Sequence, residues 1–136
     1  LFDRLPSWQP IMLLEPAEKL AAFADPVNRG KMRSESDGEN LPPTAFGIIW
    51  DRIYVTRTDL EKNRGLQGKS IGAIASDRGV HPADLMLDLA IEENLNTSFR
   101  NSQSGGDNTA MEKLLNSPYT VIGLSDAGAL VIFEAG

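Results

Sequence analysis

The residues best suited to chemistry lie near the end of the chain. Residues 119–124 (YTVIGL) read as a buried strand that runs into Gly123-Leu124-Ser125-Asp126-Ala127-Gly128-Ala129. One carboxylate, Asp126, therefore stands at a strand end among small residues. In a parallel α/β barrel the strand C-termini face the active site, where an Asp can hold a metal or move a proton. Small neighbours let a substrate or metal come close to the backbone. The plainer alternative is a turn Asp bonded to its own backbone, since turns commonly select Asp and Gly.

Other residues offer less. The chain has one histidine, His81, and no cysteine. Disulfides, zinc ribbons and thiol catalysis are excluded, and a reducing cytoplasm is the expected compartment. One His without Cys cannot build a three-ligand zinc site unaided, whereas carboxylates could still hold magnesium or calcium. His81 precedes Pro82 at a helix start, so a capping or exposed imidazole is expected there rather than a ligand. Asp84, Asp88 and Glu92 fall at i, i+4 and i+8 and line one helix face. A solvated acidic face is expected, with weak divalent-ion binding as the alternative. Gly68-Lys69-Ser70 matches only the end of a phosphate-binding loop, because Asn63 stands where the motif needs its first Gly. Trp50 and Tyr54 share one face of an expected strand. They suit packing better than base stacking, with only Arg52 and Arg57 close by. Asn96-Thr97-Ser98 matches a glycosylation acceptor, without a secretory signal to give it meaning.

Stepping along the chain, Trp8, Ile11, Leu13 and Leu14 form an apolar entry segment. Pro16 opens an amphipathic helix with Leu20 and Phe23 on one side. Asp25 and Pro26 read as an N-cap followed by Pro at the first helical position. Residues 34–44 (SESDGENLPPT) read as a loop and a candidate for disorder, and residues 47–57 (GIIWDRIYVTR) as a strand. Residues 59–68 are a charged connection. Ser70 caps a helix through Arg78 that carries Ile71, Ile74 and Ala75 and stops at Gly79. Pro82 starts a second helix, with Leu85, Met86, Leu89 and Ala90 toward a core. Residues 95–99 read as extended and 102–108 as a loop. Asp107 or Asn108 caps a further helix with Met111, Leu114 and Leu115, ended by Pro118. Residues 130–133 are a last extended piece. The expected class is α/β, largely helical with a few separated strands, over residues 1–136 as one unit without repeats.

Composition fits this reading. Among 136 residues, 41% are hydrophobic and 24% charged, as in an ordinary soluble globular domain. No apolar run approaches the roughly 18 residues of a membrane span. Thirteen basic and nineteen acidic residues give a net charge of -6, which repels phosphate backbones and argues against nucleic acid. The sequence begins at Leu1 with no leader visible, and a fragment of a longer protein is expected.

The motif around Asp126 resembles the hallmark of the N-acyl-D-amino-acid deacylase (D-aminoacylase) family of metal-dependent amidohydrolases. There, Gly-Leu-Ser-Asp-Ala-Gly-Ala-His ends the eighth barrel strand. Upstream, Gly68-Lys69-Ser70-Ile71, Ile74-Ala75, Arg78-Gly79 and His81-Pro82-Ala83-Asp84 are similar to a second family stretch: a glycine, a capped helix, and a helix rich in Leu and Asp. Asn116-Ser117-Pro118-Tyr119-Thr120 resembles the approach to the last strand. The similarity covers residues 8–129 and is clearest from residue 65 onward.

The resemblance implies a (β/α)8 barrel, present here in part. It implies zinc and hydrolysis of the amide bond of N-acyl-D-amino acids or related compounds. The Asp matching Asp126 would be the general base that later protonates the leaving amine. The implied partner is a small-molecule substrate, with neither nucleic acid nor membrane. Two departures stand out: Leu130 occupies the position of the family's His, and residues 131–136 leave the family pattern. The family's metal ligands on earlier strands would precede Leu1, leaving no ligand in this chain apart from Asp126. A complete barrel takes about 250 residues. This chain would therefore supply the late part, with a long connection over the active-site mouth, and would be inactive alone. The alternative is a non-catalytic interaction module, a barrel remnant that folds alone or dimerises to bury Trp8, Ile11 and Trp50, with open strand edges favouring a homo-oligomer.

Overall fold

A computed structural model describes residues 2–41 and 47–102, all within one unit, Leu1–Gln103. The elements expected beyond residue 102, and Asp126 itself, lie outside the described residues. In chain order the elements are α1 (Trp8–Met12), α2 (Pro16–Ala24), α3 (Pro26–Ser36), β1 (Ile53–Arg57), α4 (Ile71–Arg78), α5 (Pro82–Glu92) and β2 (Ser98–Asn101). Three short 3-10 turns, Phe2–Arg4, Trp50–Arg52 and Glu61–Leu66, join them.

Local chemistry sets these boundaries. Pro16, Pro26 and Pro82 each open a helix, where a missing N–H costs no internal bond. Asp25 ends α2 and caps α3, its carboxylate accepting from Val27 N at 2.8 Å and Asn28 N at 2.9 Å. The Ser70 hydroxyl accepts from Ala73 N at 3.2 Å at the start of α4. Gly79 ends that helix with φ +64, a left-handed conformation that glycine adopts without a Cβ penalty.

The core is built on α5. Ala83, Leu85, Met86, Leu87 and Leu89 are all buried, so this helix is covered on several sides, by α2, α3 and α4. Trp8 is 1% exposed, stacks on Phe2 with ring centroids 4.3 Å apart, and donates its indole N–H to Met32 O at 3.0 Å. That bond satisfies the polar end of an otherwise apolar side chain. Fully burying a side chain such as Leu87 or Ile71 contributes about 1.5–3 kcal/mol.

β1 pairs antiparallel with β2, Ile53 opposite Asn101 and Val55 opposite Phe99. The other edge of β1 is taken by the link into α4: Val55 N donates to Lys69 O at 3.0 Å and Gly68 N to Val55 O at 2.8 Å. Helices and strands are thus both present, as the α/β expectation requires. The sheet among the described residues is this single antiparallel ribbon.

Three local expectations are corrected. The strand expected over residues 47–57 is confined to Ile53–Arg57, and Trp50–Arg52 turn instead. Gly72 accounts for the turn's position: a Cβ there would collide with the Asp51 carboxylate and lie 3.1 Å from Asp51 N. The bare glycine lets the turn press on α4, so Trp50 and Tyr54 do not share a strand face. The loop expected from residue 34 begins later, because α3 runs on to Ser36, anchored by Glu35. Leu13, expected to pack, is 81% exposed.

Among the described residues, no helix is long and apolar enough to cross a membrane.

Candidate functional site

Four of the six ion pairs among the described residues reach α5. Near its start, Arg29 and Arg33 lie one turn apart on α3 and face α5. Arg29 reaches Asp88 at 2.6 Å and Asp84 at 3.6 Å, and Arg33 pairs with Asp84. Arg29 Nε also donates to Phe23 O at 2.6 Å, which fixes the guanidinium between α2 and α5. Further along, Glu92 pairs with Lys62. The row Asp84, Asp88 and Glu92 is therefore solvated at Asp88 and Glu92, as expected of an acidic face, and each of its members is also ion-paired. Among the described residues, no three His, Cys, Asp or Glu side chains are grouped to hold a metal.

At its end α5 carries a different carboxylate. Glu93 is only 3% exposed and, among the described residues, accepts bonds from neutral groups alone. Asp59 N donates at 2.5 Å, Leu60 N at 3.1 Å and Asn63 Nδ2 at 2.7 Å. Burial favours the protonated form, but these three donors outweigh it and hold the Glu93 carboxyl below its ordinary range. Asn63 also donates to Glu92 at 2.7 Å. Glu92 is likewise held low, first by Lys62 and then by Asn63. Together the two acids clamp the Glu61–Leu66 turn and the segment before it onto the end of α5. A similar link ties the N-terminus to α3: Glu35 accepts from Ser7 N at 2.9 Å and Ser7 Oγ at 2.6 Å.

His81 caps α5 as expected. Its Nδ1 accepts from Ala83 N at 3.1 Å, and Nε2 lies 3.1 Å from both carboxylate oxygens of Asp37. An acceptor role at Nδ1 puts the proton of the neutral ring on Nε2, which donates to Asp37. Both nitrogens are engaged, so His81 has no lone pair left for a metal. The described residues therefore do not fit the zinc that the resemblance implies. Gly68-Lys69-Ser70 is equally engaged: the first two amides bond to Val55 O and Leu66 O, and the Ser70 hydroxyl caps α4. No phosphate cradle is left there.

Sequence reading missed Glu93, although a signal was present. Leu85, Leu89 and Glu93 form the i, i+4, i+8 row beside the acidic one, so an acid continues the buried side of the helix. Two of the cavities among the described residues lie close to these elements. One, of about 270 Å³, lies beside Arg52, Asn101 and Ser102 at the foot of the ribbon. The other, of about 210 Å³, is apolar and lies among α1, α2, α5 and the segment that leads into β2.

No family model matches the chain, and no solved structure matches it. It is similar to uncharacterized proteins of Mycobacterium bovis and of two strains of Mycobacterium tuberculosis. Each is 31% identical over 119 residues, which is 86% of this chain and 19% of the relative. The chain thus spans about a fifth of the length of the curated relatives it matches.

Proposed function

We propose that this chain is the late part of a metal-dependent amidohydrolase of the N-acyl-D-amino-acid deacylase type. In this reading Asp126 is the general base. It takes a proton from the attacking water and returns it to the nitrogen of the leaving amine as the amide C–N bond breaks. The zinc belongs to the parent protein and is held by residues outside those described. The chain alone is inactive.

The observation that carries the reading is the ordered pair of motifs around Gly68–Asp84 and Asp126. The first has become a defined piece of structure: a positive-φ glycine, a Ser-capped helix and a Pro-initiated helix rich in Leu and Asp. Relatives in which 119 residues make up 19% are chains of about 600 residues, well beyond the roughly 250 of a complete (β/α)8 barrel. The antiparallel ribbon and the helices packed around α5 suit a connection between barrel strands rather than the strands themselves.

The test is Asp126→Ala in the longer protein, assayed on N-acetyl-D-amino acids against their L-enantiomers. Loss of a general base is expected to cut turnover by about 10²–10⁴ with folding retained. Unchanged turnover, or an equal preference for the L-enantiomer, refutes the reading.

A second reading, a non-catalytic interaction module, draws on Leu130 in place of His and on exposed Leu13, Val27 and Ile49, since Trp8, Ile11 and Trp50, expected to be covered by association, are already buried in the chain's own core. It requires the chain to associate in size-exclusion chromatography. A monomer at every concentration removes it.

A further inference from the structure

We propose that the apolar cavity among α1, α2 and α5 is a binding site for a small carboxylate with an apolar tail, of the medium-chain fatty-acid class. The proposal does not rest on the hydrolytic reading and concerns a different part of the chain.

Size sets the first limit. At about 210 Å³ the cavity falls below the roughly 300 Å³ at which pockets begin to hold drug-sized ligands. A short aliphatic tail fits that range. The walls set the second limit. Trp8 and Phe23 are buried and fixed, Trp8 by its bond to Met32 O. Met12 and Met86 bring flexible thioethers that adapt to an aliphatic guest.

The polar side chains on the wall decide the charge. The Trp8 indole N–H is engaged with Met32 O at 3.0 Å, and the Thr97 hydroxyl donates to Leu89 O at 3.2 Å. Lys19 also lines the cavity, and it makes no ion pair or side-chain hydrogen bond among the described residues. Glu15, one turn earlier on the same side of α2, is not paired with it. The polar side chain on this apolar wall without a partner among the described residues is thus that of Lys19, a half-buried residue with a cationic end. An apolar body with one anionic end satisfies both parts. The competing explanation is packing alone, in which the lysine stem covers apolar surface and its head stays in water. Packing alone gives no preference for an anion.

The chain contains four methionines, Met12, Met32, Met86 and Met111. Two of them line the cavity. With all four labelled at the methyl carbon, the full chain is titrated by NMR with hexanoate, hexan-1-ol and acetate. Hexanoate is expected to shift Met12 and Met86 saturably. Hexanol binds about tenfold more weakly, which corresponds to about 1.4 kcal/mol, and acetate leaves the signals in place. Lys19→Met brings hexanoate down to the affinity of hexanol and leaves hexanol unchanged. Lys19→Gln serves the same purpose if the first variant does not fold.

Equal affinity for hexanoate and hexanol in the unaltered chain overturns the proposal, as does the absence of saturable shifts at Met12 and Met86. So does movement of those two signals on dilution without ligand, which would place a second copy of the chain in the cavity.

Discussion

The two ends of α5 handle negative charge in opposite ways. Toward its start, Asp84 and Asp88 face the full charges of Arg29 and Arg33, and the outer partners of this seam, Asp88 and Arg33, are 64% and 47% exposed. At its end Glu93 sits in the protein and, among the described residues, pairs with no cation, only with two backbone amides and one side-chain amide. Formal charge pairing is used where the outer partners meet water and are screened by it. Neutral hydrogen bonding carries a carboxylate where water is absent. A buried acceptor that loses its donors suffers the full cost of desolvation, while an exposed ion pair trades one set of partners for solvent. The buried carboxylate, Glu93, should therefore matter more than the paired aspartates.

The largest effect is expected from Glu93→Ala. It removes the acceptor of the part-buried amides of Asp59 and Leu60 and of the buried side-chain amide of Asn63. The urea midpoint should fall further than for any other substitution on this helix, and hydrogen exchange at those two amides should accelerate. A midpoint shift no larger than that of Asp84→Ala would break the contrast.

Acid sharpens the same point. Glu92 and Glu93 both titrate below their ordinary value of 4.5 in the folded protein. The folded state then binds fewer protons than the unfolded one in that range. The stabilisation is complete above about pH 4.5 and is lost as the pH falls through the depressed folded values. Urea midpoints measured downward from pH 6 should drop along this limb, and Glu93→Gln should flatten it. An unaltered limb in the Gln variant would assign acid sensitivity to other carboxylates.

Next in size is Asn63→Ala, which removes a donor shared by both glutamates. A lost hydrogen bond to a charged group costs about 1.5–3 kcal/mol, readable as a lower urea midpoint. The smallest effect is expected at the seam. Arg33→Gln should cost about 0–1 kcal/mol, and high salt should shrink the difference further. A larger, salt-insensitive loss would mean that the seam is drier than its exposure indicates.

How much of this was legible in the sequence depends on the range of the interaction. The helices were readable because their signals are local: Asp25-Pro26, Ser70 with Gly79, and His81-Pro82 each act within one turn. The 3-10 turn at Trp50–Arg52 was not, because it depends on Gly72, some twenty residues away, leaving room for Asp51. Ile, Trp and Tyr propensity spoke for a strand, and tertiary packing overrode it. The seam was half legible: the acidic row followed from spacing, whereas its arginines sit on another helix whose facing cannot be read from periodicity alone. Glu93 was legible in position but not in meaning, since its donors come from a turn thirty residues earlier.

The cap at the start of α5 also turns His81 into a gauge of its own helix. Acylating reagents such as diethyl pyrocarbonate attack the unprotonated ring nitrogen, and in the folded chain that nitrogen is held by the amide of Ala83. Modification must then wait for the first turn to come undone. The chain carries no other imidazole, so its acylation rate reads how often that one turn opens, with no competing signal.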